Sequence, residues 1–362
     1  MSLLAHRRAA WVVPAVVTGA VVTAGLLPGL ASGGGGDPLP DRTAAELLVA
    51  VQGSDVQHFS GTVVETARLG LPDLPGADRA ASLSWQSLVT GSHTFRVSAD
   101  GPERQRLALI GQLSESDVVH DGTDLWTYTS STQDVTHATL PAEQAGQPAP
   151  VSTEAALTPQ EAAAQALKAI DRSTEVAVDG TQVVAGRPAY TLSLTPRDAR
   201  STVHRVLIAV DGETDLPLRV QVFGSGVDPA FETGFTDVSF DQPSGSVFRF
   251  SPPSGATVTE KDLTGTPSTP AAPQPDPTSS AAKPTVIGAG WTSILSLHQP
   301  TAPAGAASPT SSVLDQLTTV LPNGDRLLHT ALVNALMTSD GRVFVGAVTP
   351  DLLEKAAAGS AG

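Results

Sequence analysis

Cysteine is absent from all 362 residues. That removes disulfide scaffolds, cysteine-ligated zinc, iron–sulfur centres and thiol nucleophiles together. Basic charge is scarce, with 21 Lys and Arg against 36 Asp and Glu and a net charge of −15. A chain this acidic repels phosphate backbones, so a nucleic-acid partner is not expected. Anionic lipid surfaces repel it too, and any lipid contact is expected through an apolar pocket, not a basic patch. Aromatic residues reach only 4%. No Gly-x-Ser-x-Gly frame marks a nucleophile elbow, since Gly224-Ser225-Gly226 reads as a turn. No glycine loop of phosphate-cradling spacing occurs, and Gly33 to Gly36 reads as a spacer. The acidic residues are scattered through turns, with no pair at a common strand end for glycosidase chemistry. No His-x-x-x-His pair exists. A metal site drawn on His120, Asp121 and Asp124 competes with the simpler reading that Asp121 serves an Asp-Gly turn. Neither an enzyme, a cofactor nor a metal is expected.

What is present is 40% hydrophobic residues with 33 Gly and 29 Pro, enough for a core with many turns and some linker. The high Ala, Gly and Pro content resembles that of chains from high-GC Gram-positive bacteria, the actinobacteria among them. Residues 1–36 read as a targeting segment: the positive His6-Arg7-Arg8, apolar residues 9–30, then Ala31-Ser32 and four glycines. Two readings stand side by side. Gly29-x-Ala31 suits signal-peptidase cleavage, and Pro14 and Pro28 confine the clean apolar run to about 13 residues, the length of a signal h-region. Residues 9–30, about 22 residues and roughly 33 Å as a helix, also suffice to span a bilayer as an uncleaved anchor. Either way the remainder is expected outside the cytoplasm, secreted or tethered.

Residues 37–263 read as the main domain. Thr43-Ala-Ala-Glu46 is a capping box that opens a helix, with Gly53 as its stop. From Phe59 the apolar period changes to two. Strands are expected at residues 59–66, 83–85, 95–97 and 107–109. Asp121-Gly122 lies between two β-type runs, a hairpin signal. Thr158-Pro159-Gln160-Glu161 opens a second, Ala-rich helix. Strands follow at 175–178, turning at Asp179-Gly180, then at 187–194, 206–210, 218–222, 231–240 and 247–250. Short turns between successive strands predict an antiparallel meander, hence an α+β fold. Residues 264–284 read as a Pro-rich linker. Residues 285–350 read as a small α/β unit with strands at 291–297 and 342–348 and helices at 312–321 and 327–336. So few residues are marginal alone and are expected to dock. Residues 351–362 read as a tail.

Three pieces within residues 41–262 carry a resemblance: Asp55-Val-Gln-His-Phe59-Ser-Gly-Thr; Val119-His-Asp121-Gly122-Thr-Asp-Leu125-Trp126-Thr-Tyr128; and Phe248-Arg-Phe250-Ser-Pro252-Pro253-Ser-Gly255-Ala-Thr-Val258. Their order and spacing resemble the bacterial lipoprotein-carrier superfamily of LolA, LolB and RseB. The resemblance implies a curved antiparallel sheet, an incomplete barrel, wrapped on helices around an apolar cavity that receives lipoprotein acyl chains. A half-open sheet leaves a concave apolar face to fill, and each buried methylene contributes about 0.8 kcal/mol without charged recognition. The LolA carriers place Arg-Pro shortly after a strand Trp. Here Trp85 is followed by Gln-Ser-Leu-Val-Thr-Gly-Ser, so delivery to an outer membrane does not follow.

Candidate cavity-lining residues are Trp85, Phe95, Trp126, Tyr128, Leu192, Ile208 and Val220. The competing reading is that they pack the sheet on its helices. The function expected is an exported, non-enzymatic binder or carrier of lipid or lipoprotein acyl chains. The alternative, by analogy with RseB, is a regulator or sensor that contacts a membrane protein through residues 285–350.

Overall fold

The computed structural model describes residues 39–71, 90–111, 114–147, 158–264, 284–298 and 317–359. The leader, the strand expected at 83–85, most of the linker and most of the helix expected at 312–321 lie outside them. Helix α1 (Ala44–Gly53) starts on the capping box read from sequence. The Thr43 hydroxyl accepts from the Glu46 amide while the Glu46 carboxylate accepts from the Thr43 amide at 2.7 Å. Helix α3 (Pro159–Lys168) begins the same way at Thr158 and Glu161. A one-turn helix, α2 (Ala142–Ala145), lies between the two halves of the sheet.

Those halves are two meanders. The first comprises β1 (His58–Arg68), β2 (Thr90–Asp100), β3 (Arg104–Ile110), β4 (Glu115–Asp121), β5 (Asp124–Thr129) and β6 (Asp134–Thr139). The second comprises β7 (Thr174–Val184), β8 (Arg187–Pro196), β9 (Arg205–Asp211), β10 (Pro217–Phe223) and β11 (Phe231–Ser239). Antiparallel pairing of β1 with β11 joins them into one sheet, ordered β12-β6-β5-β4-β3-β2-β1-β11-β10-β9-β8-β7. Its two ends, β7 and β12 (Thr257–Asp262), do not pair with each other, so the curved sheet stays an incomplete barrel, as expected.

Two local expectations are corrected. Asp179-Gly180 does not turn the chain; it lies within β7, where the register with β8 shifts between Val178 and Thr181. The turn is at Ala185-Gly186, both with positive φ, the geometry of a tight hairpin. Residues 247–250 are not a strand: Gly245–Phe248 forms a 3-10 turn that buries Phe248. The closing strand is instead β12, parallel to β6 in a sheet otherwise antiparallel. To reach it, residues 241–256 cross the sheet as a strap, held by Arg106 donating to the Val247 carbonyl and by Arg104 over the Phe248 ring.

The C-terminal unit is mostly strand. A sheet ordered β13-β14-β18-β17-β16-β15 contains β13 (Thr285–Ile287), β14 (Ile294–His298), β15 (Thr318–Val320), β16 (Arg326–Leu328), β17 (Asn334–Met337) and β18 (Arg342–Gly346). The helices expected at 312–321 and 327–336 give way, among the described residues, to three short strands over 318–320, 326–328 and 334–337. The expected tail contains a helix, α4 (Pro350–Gly359), whose Leu353 and Ala357 pack on Ile294, Leu336 and Phe344. Residues 38–362 make one compact unit. Within it the small sheet docks on the large one. The Trp291 indole donates to Thr174 Oγ1 at 2.8 Å, the Ala331 amide donates to the Leu69 carbonyl, and Thr202 donates to the Leu332 carbonyl. Among the described residues no helix is long and apolar enough to cross a membrane.

Candidate binding cavity

The large sheet's helix side carries the main core. Alanines 162, 163 and 166 of α3 and Leu47 of α1 pack on Leu192, Leu194, Val206, Ile208 and Val220. Small side chains let the α3 backbone approach the sheet, which accounts for the Ala-rich sequence. Between the end of α1 and the length of α3, the packing leaves a cavity of about 530 Å³. Val51 and Gln52 of α1 and Gln160, Ala164, Leu167 and Lys168 of α3 form two walls; Ser54, Val56 and Phe59 form a third. Leu216 and Pro217, both buried, lie at the start of β10 and complete the lining. Gln52, Ala164 and Lys168 are exposed and mark the rim.

The Leu216-Pro217 side is fixed by a polar network in the β9–β10 turn. Asp211 is fully buried and accepts from Arg187 at 2.5 Å and 3.1 Å, from the Glu213 amide, and from the amide and hydroxyl of Thr214. Burial pushes its carboxyl upward, but Arg187 and the Thr214 donors outweigh burial and hold it below the ordinary value. The turn is tied to the helix side as well, for Ser54, the C-cap of α1, donates to the Thr214 carbonyl at 2.9 Å. Asp215 pairs with Arg42 ahead of α1. These contacts hold the end of α1 against the floor of the cavity.

Strand register places six of the seven candidate residues; Trp85 lies outside the described residues. Leu192, Ile208 and Val220 are direct cross-strand partners, a row that continues through Thr233 to Glu65. Phe95 pairs with Val63, two residues from Glu65 on β1, and so shares that face. All four are fully or almost fully buried: Leu192, Ile208 and Val220 beneath the helices, Phe95 in a neighbouring cluster with Leu109, Phe235 and Leu216. Trp126 and Tyr128 are on the opposite face. The row of Phe95 runs through Leu109 and Ser116 to Thr129, one residue out of phase with Tyr128. There Trp126 stacks on His137 at 3.8 Å, and both aromatics meet Phe250 of the strap. None of the six is among the residues lining the cavity. The lining residues sit at helix margins and in a turn, where Val51 and Leu167 pack at the edge of the main core. His120 is buried in β4 with Nε2 bonded to the Gly122 carbonyl, apart from the cavity.

Residues 89–256 match the MucB/RseB N-terminal domain. The resemblance read from sequence is thereby upheld at its RseB branch. The MucB/RseB segment runs from the start of β2 to the end of the strap and includes α3, Leu216 and the candidate residues other than Trp85; α1 precedes it. Among solved structures, the complex of MucA and MucB from Pseudomonas aeruginosa is similar at 17% identity, covering 86% of this chain and 96% of that one, with a TM-score of 0.44. An uncharacterized conserved protein from Thermus thermophilus is similar at 12% identity over 60% of this chain and 99% of its own, with a TM-score of 0.34. A LolA superfamily protein from Nitrosomonas europaea is similar at 12% identity over 58% and 99%, with a TM-score of 0.22. No curated protein matches the chain.

Proposed function

We propose that this protein is an exported, non-enzymatic binding protein of the cell envelope that holds an acyl chain of a lipid or lipoprotein between its sheet and helices. The observation that carries the reading is the cavity between the end of α1 and α3, bounded by Val51, Val56, Phe59, Leu167 and Leu216. Seven apolar side chains interleaved with polar Gln52, Ser54, Gln160 and Lys168, in a volume of this size, suit a small amphiphile. Phe95, Leu192, Ile208 and Val220 serve as the rigid base beneath the helices, while Trp126 and Tyr128 anchor the strap. Binding is driven by methylene burial, and exchange requires α1 or α3 to move off the sheet. The first test is native mass spectrometry of the full chain with extraction of co-purifying lipid. The expected result is bound lipid that is lost in Val51→Glu and Leu167→Glu, both half-buried wall positions where a charge leaves circular dichroism unchanged. A bare-chain mass with no uptake of added lipid overturns the proposal.

A second reading is a regulator that meets a membrane-bound protein through its C-terminal unit. It is favoured by the outer face of the small sheet, where Val286, Leu295 and Val345 are successive cross-strand partners and Val286 and Leu295 are exposed. Deleting residues 285–350 should then abolish partner capture and leave lipid uptake intact.

A further inference from the structure

Within the cavity wall one side chain is chemically out of place. Gln160 lines the cavity, yet both its amide nitrogen and its amide oxygen are shielded from solvent and have no hydrogen-bond partner among the described residues. The helix start does not use it, because Thr158 and Glu161 complete the cap between themselves. A buried amide left unpaired is costly, and water does not relieve it here because neither atom is accessible. An amide needs one acceptor for its N–H and one donor for its C=O. Among head groups that follow an acyl chain, a secondary amide supplies both; an ester supplies only acceptors and a hydrocarbon neither. Lys168, exposed on the rim about two helical turns further along α3, has no ion pair among the described residues. It suits a carboxylate on the head, just outside the apolar walls. Size limits the tail. A cavity of about 150 Å³ holds benzene, so about 530 Å³ takes roughly 20 non-hydrogen atoms, one acyl chain and its amide and not two chains.

We infer that the cavity selects a single-chain N-acyl amide, with Gln160 as the side chain that reads the amide and Lys168 as the counter-charge at the rim. This rests on the acyl-chain reading above and narrows it to a ligand class. On entry of the ligand, the Gln160 side chain turns from its unpaired position so that its amide oxygen accepts from the N–H of the head, the group that an ester lacks.

The test compares N-palmitoylglycine with O-palmitoylglycolate, which differ only in an N–H replaced by oxygen, by titration calorimetry on the full chain. The expected result is about five- to tenfold tighter binding of the amide. In Gln160→Leu the two ligands should bind equally, with the ester no weaker than before. In Lys168→Gln both should weaken by a similar factor. In Ala164→Trp, an exposed rim substitution that fills the mouth, uptake of both should disappear at unchanged melting temperature. Equal affinities in the parent chain, or a preference that survives Gln160→Leu, overturns the inference and leaves acyl-chain binding standing. Binding of neither ligand overturns both readings. Stoichiometric uptake of dipalmitoylphosphatidylglycerol overturns the single-chain assignment.

Discussion

A buried carboxylate that holds a turn is costly to disturb, because its donors lose their partner at the same time. Asp211 is such a group: Arg187, Thr214 and the Glu213 amide all converge on it, and the turn it shapes presents Leu216 and Pro217 to the cavity. Asp211→Asn is expected to lower the unfolding free energy by about 2 kcal/mol, read from the urea midpoint. The same residue predicts acid sensitivity. Its carboxyl is held below the ordinary 3.8 in the folded protein, so its contribution is complete above that value and is lost as pH falls through the lower folded one. Stability should therefore decline below about pH 4, and the Asn variant should show a flatter acid limb. Identical acid limbs for the two proteins would sink this account. A weakened turn should also loosen the cavity floor, so ligand affinity is expected to fall with stability in this variant.

At the scale of elements, β12 is the least supported part of the large sheet. Every residue in it is exposed, and it pairs only with β6. What fixes it laterally is His137 of β6, whose two ring nitrogens lie 2.7 Å from Asp124 of β5 and 2.7 Å from Glu260 of β12, with Trp126 stacked on the ring. His137→Ala removes those ties without touching the core. The expectation is about tenfold faster hydrogen exchange at residues 258–261, with β8 and β9 unchanged. Equal exchange would assign the hold on β12 to its backbone pairing with β6 and to the strap's own anchors, Phe248 and Phe250. Elements also show how far sequence reaches. Both capping boxes were legible because each lies within four residues. Asp179-Gly180 and Ala185-Gly186 offer the same turn chemistry, and only the register of β7 on β8 decides between bulge and hairpin. The strands of the small sheet span three to five residues each, too short for a period of two to emerge from apolar Leu327, Leu328 and Leu336. The scarce aromatics drew attention to Trp126 and Tyr128, but which face they take is decided by a strap arriving from far along the chain. The cavity was least legible, for Gln160 and Leu216 become neighbours only once α3 lies over the β9–β10 turn.

The whole molecule raises a different question: whether the small sheet is a passenger or part of one cooperative body. Its size argues that it leans on the large sheet, since short strands and one helix bury little alone. The contacts between the two are dense and of two kinds. Trp291 is almost fully buried among residues of the main core and donates its indole N–H to Thr174. At a second point the backbones nearly touch. A Cβ on Gly224 would meet the Ala331 carbonyl oxygen at 2.6 Å, so only glycine permits this approach. Trp291→Ala should cost about 3 kcal/mol through lost burial and the lost indole hydrogen bond to Thr174. Gly224→Val should separate the same surfaces by steric means. If the two sheets melt as one body, the parent chain gives a single calorimetric transition, and each variant splits it, with the small sheet unfolding first. Both variants should still take up N-palmitoylglycine, because the cavity is built from α1, α3, β1 and β10 and none of its residues belongs to the small sheet. Loss of uptake in both would mean instead that the small sheet holds the cavity's shape, and ligand occupancy would then be coupled to the surface formed by Val286 and Leu295. That coupling would join the carrier and regulator readings in one molecule, and retained uptake would keep them separate.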